Sequence, residues 1–323
     1  MSLLTSDYQY ALPEKLIARH PLPRREDSRM MILDRRTQRI EHRRFTEFPS
    51  FVDEGDLVVL NDTRVVPARV YAEDGRIELL FVEAVREHTW KCLVKPGRKM
   101  GLGALVHVGE IPGVVFEICP DGERIIEFHG PIDFEKAGEF PLPPYLDREL
   151  EPSDRERYQT VFAREAGAIA APTAGLHFTP EMLAGLPHAF VTLHVGIATF
   201  RPVQVEDLTR HPMPPERFRV SPKAAESINA ARRRIAVGTT TTRVLEARGL
   251  PAAAGVGAVD LFIHPPYRFH VVDLLLTNFH LPKSTLLMLI SAFAGREFVL
   301  RAYEEAVREQ YRFYSYGDCM LIL

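Results

Sequence analysis

Three short segments carry side chains able to move protons or hold anions. The run Ala168-Ile169-Ala170-Ala171-Pro172-Thr173-Ala174-Gly175-Leu176-His177-Phe178-Thr179 is almost wholly small or apolar. Small residues let a backbone approach a ligand closely, and Thr173 and His177 are the only hydrogen-bonding side chains before Thr179, which can cap a following helix. An imidazole there suits general acid or base work, because its ordinary pKa lies near neutrality; a tightly packed loop is the alternative. Thr277-Asn278-Phe279-His280, just before a proline, offers a hydroxyl, an amide and a second imidazole. Gly238-Thr239-Thr240-Thr241-Thr242-Arg243 sets hydroxyls and backbone N–H groups at a helix start, an arrangement able to cradle an anion or carboxylate, with Arg243 one turn in. It lacks the glycine and lysine spacing of a P-loop, and a threonine-rich cap over a buried turn would read the same way.

Positioning these groups requires strands that end at them. After about residue 155 the pattern alternates strand with helix, which predicts an α/β fold with a mostly parallel sheet. Strands are expected at 189–195, 234–237, 257–263 and 271–278, and helices at 222–233, 241–248, 284–294 and 297–309, with Thr240 and Ser284 as caps. Ligands in open α/β sheets bind beyond the carboxyl ends of strands. The four predicted ends deliver His194, Gly196 and Thr199; Gly238 to Arg243; Asp260 and His264; and Thr277 to His280.

A different texture occupies about 57–129. Short β-rich pieces alternate with turn signals such as Glu73-Asp74-Gly75, Pro96-Gly97 and Asp121-Gly122, which predicts a small antiparallel barrel or sandwich. The proline-rich Pro141-Leu142-Pro143-Pro144-Tyr145 reads as its exit. The expected organisation is therefore a discontinuous α/β domain over 1–56 and 155–323, interrupted by an inserted β-barrel domain with its linker over 57–154.

Composition narrows the function classes. The chain has 323 residues, is 46% hydrophobic and has a net charge of −3, enough for a real core and too neutral to coat nucleic acid by global charge. Its 33 arginines against seven lysines favour bidentate phosphate contacts, although a GC-rich genome would give the same bias. Nine arginines against four carboxylates crowd residues 19–44, and Arg232-Arg233-Arg234 form a second cluster; both fit phosphate-backbone contacts, with solvated charged faces as the ordinary alternative. Cys92, Cys119 and Cys319 are far apart and suggest neither disulfides nor a thiolate zinc site. His264, His270 and His280 lack the spacing that fixes a metal on one element, and no GxGxxG turn follows a strand. With no apolar run long enough to span a membrane and no export signal at the start, a soluble cytoplasmic protein is expected.

Taken together, the motifs resemble the S-adenosylmethionine:tRNA ribosyltransferase-isomerase family of queuosine biosynthesis. The resemblance runs through nearly the whole chain: Tyr10-Ala11-Leu12-Pro13, Asp27-Ser28-Arg29, Asn61-Asp62-Thr63-Arg64-Val65, Tyr158-Gln159-Thr160-Val161-Phe162, the Ala171 to Thr179 run, His194-Val195-Gly196, Gly238-Thr239-Thr240 with Arg243, Thr277 to Pro282, Ser291 to Gly295, and Tyr314-Ser315-Tyr316-Gly317-Asp318. Ala198, Pro214 and Pro266 depart from the family pattern. The resemblance implies a large α/β domain interrupted by a β-barrel. It also implies transfer and isomerisation of the ribosyl group of S-adenosylmethionine onto 7-aminomethyl-7-deazaguanine at the tRNA wobble position, giving epoxyqueuosine and releasing adenine and methionine. S-adenosylmethionine is then a co-substrate, with no prosthetic group and no metal expected, and the protein a monomer.

The expected site has His177 and His280 as acid and base. Asp62, Arg64, Thr173, His194, Thr239, Thr240, Arg243, Asp260, Asn278 and Asp318 surround the substrate, and Arg24, Arg25, Arg35, Arg36, Arg43, Arg44, Arg232, Arg233 and Arg234 meet tRNA phosphates. A metal-dependent nucleic-acid hydrolase and a non-enzymatic RNA-binding module are the competing classes; metal content would reveal the first, and RNA binding without adenine release the second.

Overall fold

The structure is a computed structural model that describes residues 3–196 and 203–323; Ala198 and Thr199 fall outside them. Two compact units divide the chain at Arg64/Val65 and Pro143/Pro144.

The larger unit, residues 1–64 and 144–323, is built on one sheet. Its strands are β1 (Arg29–Asp34), β2 (Arg39–Arg44), β3 (Asp56–Asn61), β4 (His188–Leu193), β5 (Glu216–Val220), β6 (Arg233–Val237), β7 (Gly255–Val259), β8 (Leu274–Asn278) and β9 (Cys319–Ile322). Their order is β7-β5-β4-β3-β6-β8-β9-β1-β2. Neighbours β4-β3, β3-β6, β6-β8 and β9-β1 run parallel, whereas β7-β5, β5-β4, β8-β9 and β1-β2 run antiparallel. The expected mostly parallel sheet is thus a mixed one. Residues 29–44 and 216–220 form strands that the helix-alternating pattern did not show, and these together with the C-terminal β9 supply the antiparallel pairings. Because Asp56–Asn61 is a central strand, the β-rich unit begins at 65 rather than 57, and it ends at 143 rather than 154.

Both faces of this sheet are covered, so its strands read as continuous apolar runs. Met31, Leu33, Leu57, Val59, Ala236 and Leu275 join one core beneath helices α1 (Pro222–Ala230), α2 (Thr239–Arg248), α3 (Thr285–Ala294) and α4 (Arg296–Arg308). Met30, Ile32, Val58, Leu60, Ile235 and Leu276 join the other, closed by Phe45, Phe48 and Phe178. The side-chain period of two sorts each strand between the cores. Ser284 caps α3 by accepting from the Leu287 N–H, and Thr179 accepts from the Met182 N–H. The predicted Thr240 cap is absent: α2 starts two residues earlier than expected, at Thr239, with Gly238 in the cap position.

The smaller unit, residues 65–143, holds a seven-stranded antiparallel sheet. In spatial order its strands are Gly138–Glu139, Arg69–Ala72, Ile77–Arg86, Thr89–Lys95, Arg124–Phe128, Ile111–Ile118 and Leu105–Val108. The first and last of these do not pair, so the expected small barrel or sandwich is an open, curled half-barrel. Register shifts at Phe81/Glu83, Ala84/Arg86 and Ile125/Ile126 mark the bulges that bend such a sheet.

Candidate active site

One rim of the large sheet collects the chemistry. The parallel strands β4, β3, β6 and β8 end there, and the antiparallel β9 begins there, since Asn278 of β8 stands opposite Cys319 of β9. Because β1 is parallel to β9, Ser28 and Arg29 reach the same rim. The segment before β9, Tyr314 to Asp318, therefore faces the loops after β6 and β8.

A cavity of about 210 Å3 opens at this rim. Its walls are Ala170 to Ala174 of the small-residue run, Gly238 to Thr240 at the start of α2, Thr277 to Leu281 after β8, and Tyr145, Tyr158, Tyr314 and Ser315. Of the expected site, Thr173, Thr239, Thr240, Asn278 and His280 line it. The tyrosine wall was not among the predicted binding residues. Tyr145 stacks on Tyr314 with ring centroids 4.2 Å apart, and its hydroxyl bonds Ser315. Tyr145 follows the proline-rich exit, where the sequence gives a boundary signal and no signal of a site.

The start of α2 presents backbone donors. Gly238 has φ +89°, a left-handed conformation that glycine adopts without strain, and its N–H donates to the Leu276 carbonyl at 2.8 Å. No side chain caps the helix. The hydroxyls of Thr241 and Thr242 turn back to the carbonyls of Val237 and Gly238 at 2.7 and 3.0 Å. Those two threonines serve the fold, while Gly238, Thr239 and Thr240 border the cavity with first-turn N–H groups aimed outward. Arg243 does not join them. It is buried and paired with Glu216, while its Nε and Nη2 donate to the carbonyls of Leu261 and Val259 at 3.0 and 3.1 Å. Glu216 also accepts the Gly196 N–H at 2.7 Å, so this pair fixes the chain after β4. Position 243 stands three and four residues beyond 240 and 239, on the same side of the helix, but its long side chain is drawn away to Glu216 and the carbonyls of Val259 and Leu261.

The two histidines differ in place. His280 lines the cavity; its Nε2 lies 2.9 Å from the Thr277 hydroxyl, and among the described residues its Nδ1 makes no hydrogen bond. Its backbone is clamped: the N–H donates to the Tyr303 hydroxyl at 3.0 Å, and the carbonyl accepts from Tyr10 at 2.5 Å. His177 stands one hydrogen bond behind the wall, with Nε2 3.0 Å from the Asn278 Oδ1 and Nδ1 2.9 Å from the Ser28 hydroxyl. The Asn278 Nδ2 donates to the carbonyls of Tyr314 and Ser315, so its Oδ1 must face His177, and the His177 Nε2 must be the donor. That network fixes a proton on Nε2, and burial is what favours the neutral ring. Burial lowers the pKa of His177 to about 4, aided by Arg25 and Arg312, and burial lowers that of His280 to about 3. Neither imidazole titrates near neutrality in the folded protein, contrary to the expectation for an unperturbed ring.

A pH dependence follows. Unfolded, each ring titrates near 6.5, so below that pH the unfolded chain binds up to about one more proton per histidine than the folded protein. Their contribution is fully present above pH 6.5 and is lost as pH falls toward the folded values. The urea midpoint should drop between pH 7 and 5, and His177→Gln should flatten the dependence; equal slopes in the variant would show that the buried neutral ring is not responsible.

The other expected substrate residues lie away from this cavity. Asp62 accepts from Thr192 at 2.7 Å and Arg164 at 2.8 Å, tying the end of β3 to β4. His194 meets the Thr63 hydroxyl at 2.9 Å, its pKa lowered by burial. Asp318 accepts the backbone N–H groups of Arg29 and Arg312, and burial raises its pKa. Asp260 is exposed beyond the end of β7. None of these, nor Arg64, borders the cavity.

The arginine clusters divide likewise. Arg232 and Arg233 pair with Asp53 and Asp56, Arg234 pairs with Asp273, and Arg35 donates to the carbonyls of Leu323, Phe293 and Asp273. Their charge is spent on carboxylates and chain ends distant in sequence. Arg36, Arg43 and Arg44 are exposed, the last two on the edge strand β2, with Arg43 paired to Glu41; Arg24 pairs with Glu26. Among the described residues no group of three His, Cys, Asp or Glu side chains could hold a metal, and no helix is long and apolar enough to cross a membrane.

Comparison with known proteins agrees with this architecture. Residues 5–322 match the model of a family described as queuosine biosynthesis protein. The S-adenosylmethionine:tRNA ribosyltransferase-isomerase of Trichlorobacter lovleyi is 48% identical over 99% of this chain and 100% of its own, and that of Thermotoga petrophila is 49% identical over 98% and 99%. The crystal structure of S-adenosylmethionine tRNA ribosyltransferase from Thermotoga maritima covers 98% of this chain and 100% of its own at 41% identity, with a TM-score of 0.57. With a family model spanning nearly its whole length and relatives close to half identical, the chain belongs to the queuosine biosynthesis protein family, the enzymes named S-adenosylmethionine:tRNA ribosyltransferase-isomerases.

Proposed function

We propose that the chain transfers and isomerises the ribosyl group of S-adenosylmethionine onto 7-aminomethyl-7-deazaguanine at the tRNA wobble position, giving epoxyqueuosine-tRNA with release of adenine and methionine. It acts as a cytoplasmic monomer without a prosthetic group, and residues 65–143 are a domain inserted into the α/β catalytic domain. The observation that carries the reaction is the conjunction, in one cavity, of an uncapped helix start, a tyrosine wall and the neutral His280 with an unbonded ring nitrogen.

Each feature answers a chemical need. The sulfonium of S-adenosylmethionine acidifies the adjacent ribose 5′ carbon, and the Nδ1 of His280 accepts that proton. The first-turn N–H groups of Thr239 and Thr240 hold the methionine carboxylate. Tyr145 and Tyr314 offer a face for adenine, and Asn278, oriented by His177, supplies a fixed polar edge. His177 acts through Asn278. Arg24, Arg25, Arg36, Arg43 and Arg44 remain the tRNA-facing candidates. The test is to follow adenine: with S-adenosylmethionine, its release should require tRNA carrying aminomethyl-deazaguanine. RNA binding without adenine release would favour a binding module instead.

A further inference from the structure

Beside the cavity lies a second, narrow cleft. Arg24, Arg25 and Arg157 line it together with Ser28, Ser315 and Gly317. Gly317 admits no side chain, since a Cβ there would stand 2.5 Å from the Arg312 carbonyl oxygen. The space within is about 20 Å3, enough for an atom the size of a water oxygen and too small for a ring.

Its guanidinium groups are held in an unusual way for this protein. Arg25 donates to the carbonyls of Leu176 and Glu156 at 3.3 and 2.9 Å, and Arg157 to those of Pro23 and Leu22 at 3.1 and 2.8 Å. Arg312, behind the cleft, donates to the His20 carbonyl. Backbone oxygens fix the groups without neutralising them. Unlike Arg232 to Arg234, none of the three has a carboxylate at ion-pair distance among the described residues; the nearest pair at the mouth is Arg24 with Glu26. The buried Nε of Arg157 and Nη1 of Arg312 lack an acceptor. Burial, then the neighbouring Arg157, lowers the pKa of Arg25, with Glu156 only partly offsetting them, so like charges stand close. An anion would relieve that repulsion.

We infer that this cleft binds a backbone phosphate of the RNA substrate, next to the nucleotide whose base enters the cavity. Ser315 belongs to both walls, and His177, which lines the cleft, bonds Asn278 of the cavity, so one layer of side chains separates the two. A phosphate oxygen fits the narrow space, and preorganised guanidinium forks match a phosphodiester. The inference rests on the proposed function, since only that reading brings RNA to this rim.

The experiment measures binding of an anticodon stem-loop at several salt concentrations to wild-type, Arg25→Gln and Arg157→Gln proteins, with S-adenosylmethionine affinity as the control. Each substitution should make the slope of log affinity against log salt shallower by about 0.7, leaving S-adenosylmethionine affinity unchanged; Arg25→Lys should retain most of the slope. A stem-loop whose phosphate beside the wobble nucleotide is replaced by neutral methylphosphonate should bind wild type more weakly and the Gln variants no worse than before. Gln variants that bind S-adenosylmethionine normally and keep the wild-type slope would overturn the inference. So would competition by inorganic phosphate with no effect of methylphosphonate, which would assign the cleft to the free anion. A wild type that binds the co-substrate but no stem-loop would overturn the proposed function along with it.

Discussion

His280→Ala and His280→Gln are expected to lower turnover by about 100-fold or more, the usual range for loss of a general acid or base, in proteins that remain folded. The fold should survive because the backbone of His280 is held by Tyr303 and Tyr10, contacts that do not involve the imidazole. What is lost is the Nδ1 beside the cavity, the ring nitrogen that no described residue occupies, while Thr277 orients the other. With its pKa lowered by burial to about 3, His280 stays neutral through the physiological range. The pH profile of kcat/KM should therefore show no limb from this group between pH 5 and 7. So weak a base fits only a strongly acidified proton, and the sulfonium with the departing adenine must supply the driving force. Single-turnover kinetics on variants checked by circular dichroism are the measurement. Near wild-type turnover in a folded His280→Ala protein would move the proton transfer to another group.

Arg243→Met is expected to cost about 3–5 kcal/mol of stability, the range for removing one partner of a buried ion pair. Arg243 and Glu216 are both buried, and among the described residues the substitution leaves the Glu216 carboxylate with only the Gly196 N–H. The carbonyls of Leu261 and Val259 lose their donors too. Adding Glu216→Gln should recover part of the loss, because it removes the uncompensated charge. Urea unfolding of the three proteins measures this. A loss below about 1 kcal/mol for Arg243→Met would show that the pair does not hold the chain after β4, and would restore the reading of Arg243 as a ligand group.

That contrast marks how far the site was legible. The segments were found: the small-residue run, the start of α2 and the end of β8 do meet at one cavity, because strand-end loops of parallel neighbours share a rim. Direction within each segment was not. Four adjacent threonines look alike in sequence, yet helical geometry turns Thr241 and Thr242 back onto β6 and leaves Thr239 and Thr240 at the cavity. The pairing of β8 with the C-terminal β9 brings Tyr314 and Ser315 to the rim. No periodicity announces such a pairing across some forty residues. Arginine clusters misled for a related reason: Asp53 and Asp56, which neutralise Arg232 and Arg233, lie about 180 residues away in the chain. The β-rich texture of 65–143 was plain, but its openness depends on whether the end strands meet, which alternation does not encode.

The most direct measurement incubates the purified protein with S-adenosylmethionine and tRNA carrying 7-aminomethyl-7-deazaguanine, then digests the tRNA for nucleoside mass analysis. Conversion of the deazaguanine nucleoside to epoxyqueuosine, with adenine and methionine released in equal amount, is the predicted result. Unchanged nucleoside, in protein shown to bind both substrates, would contradict it.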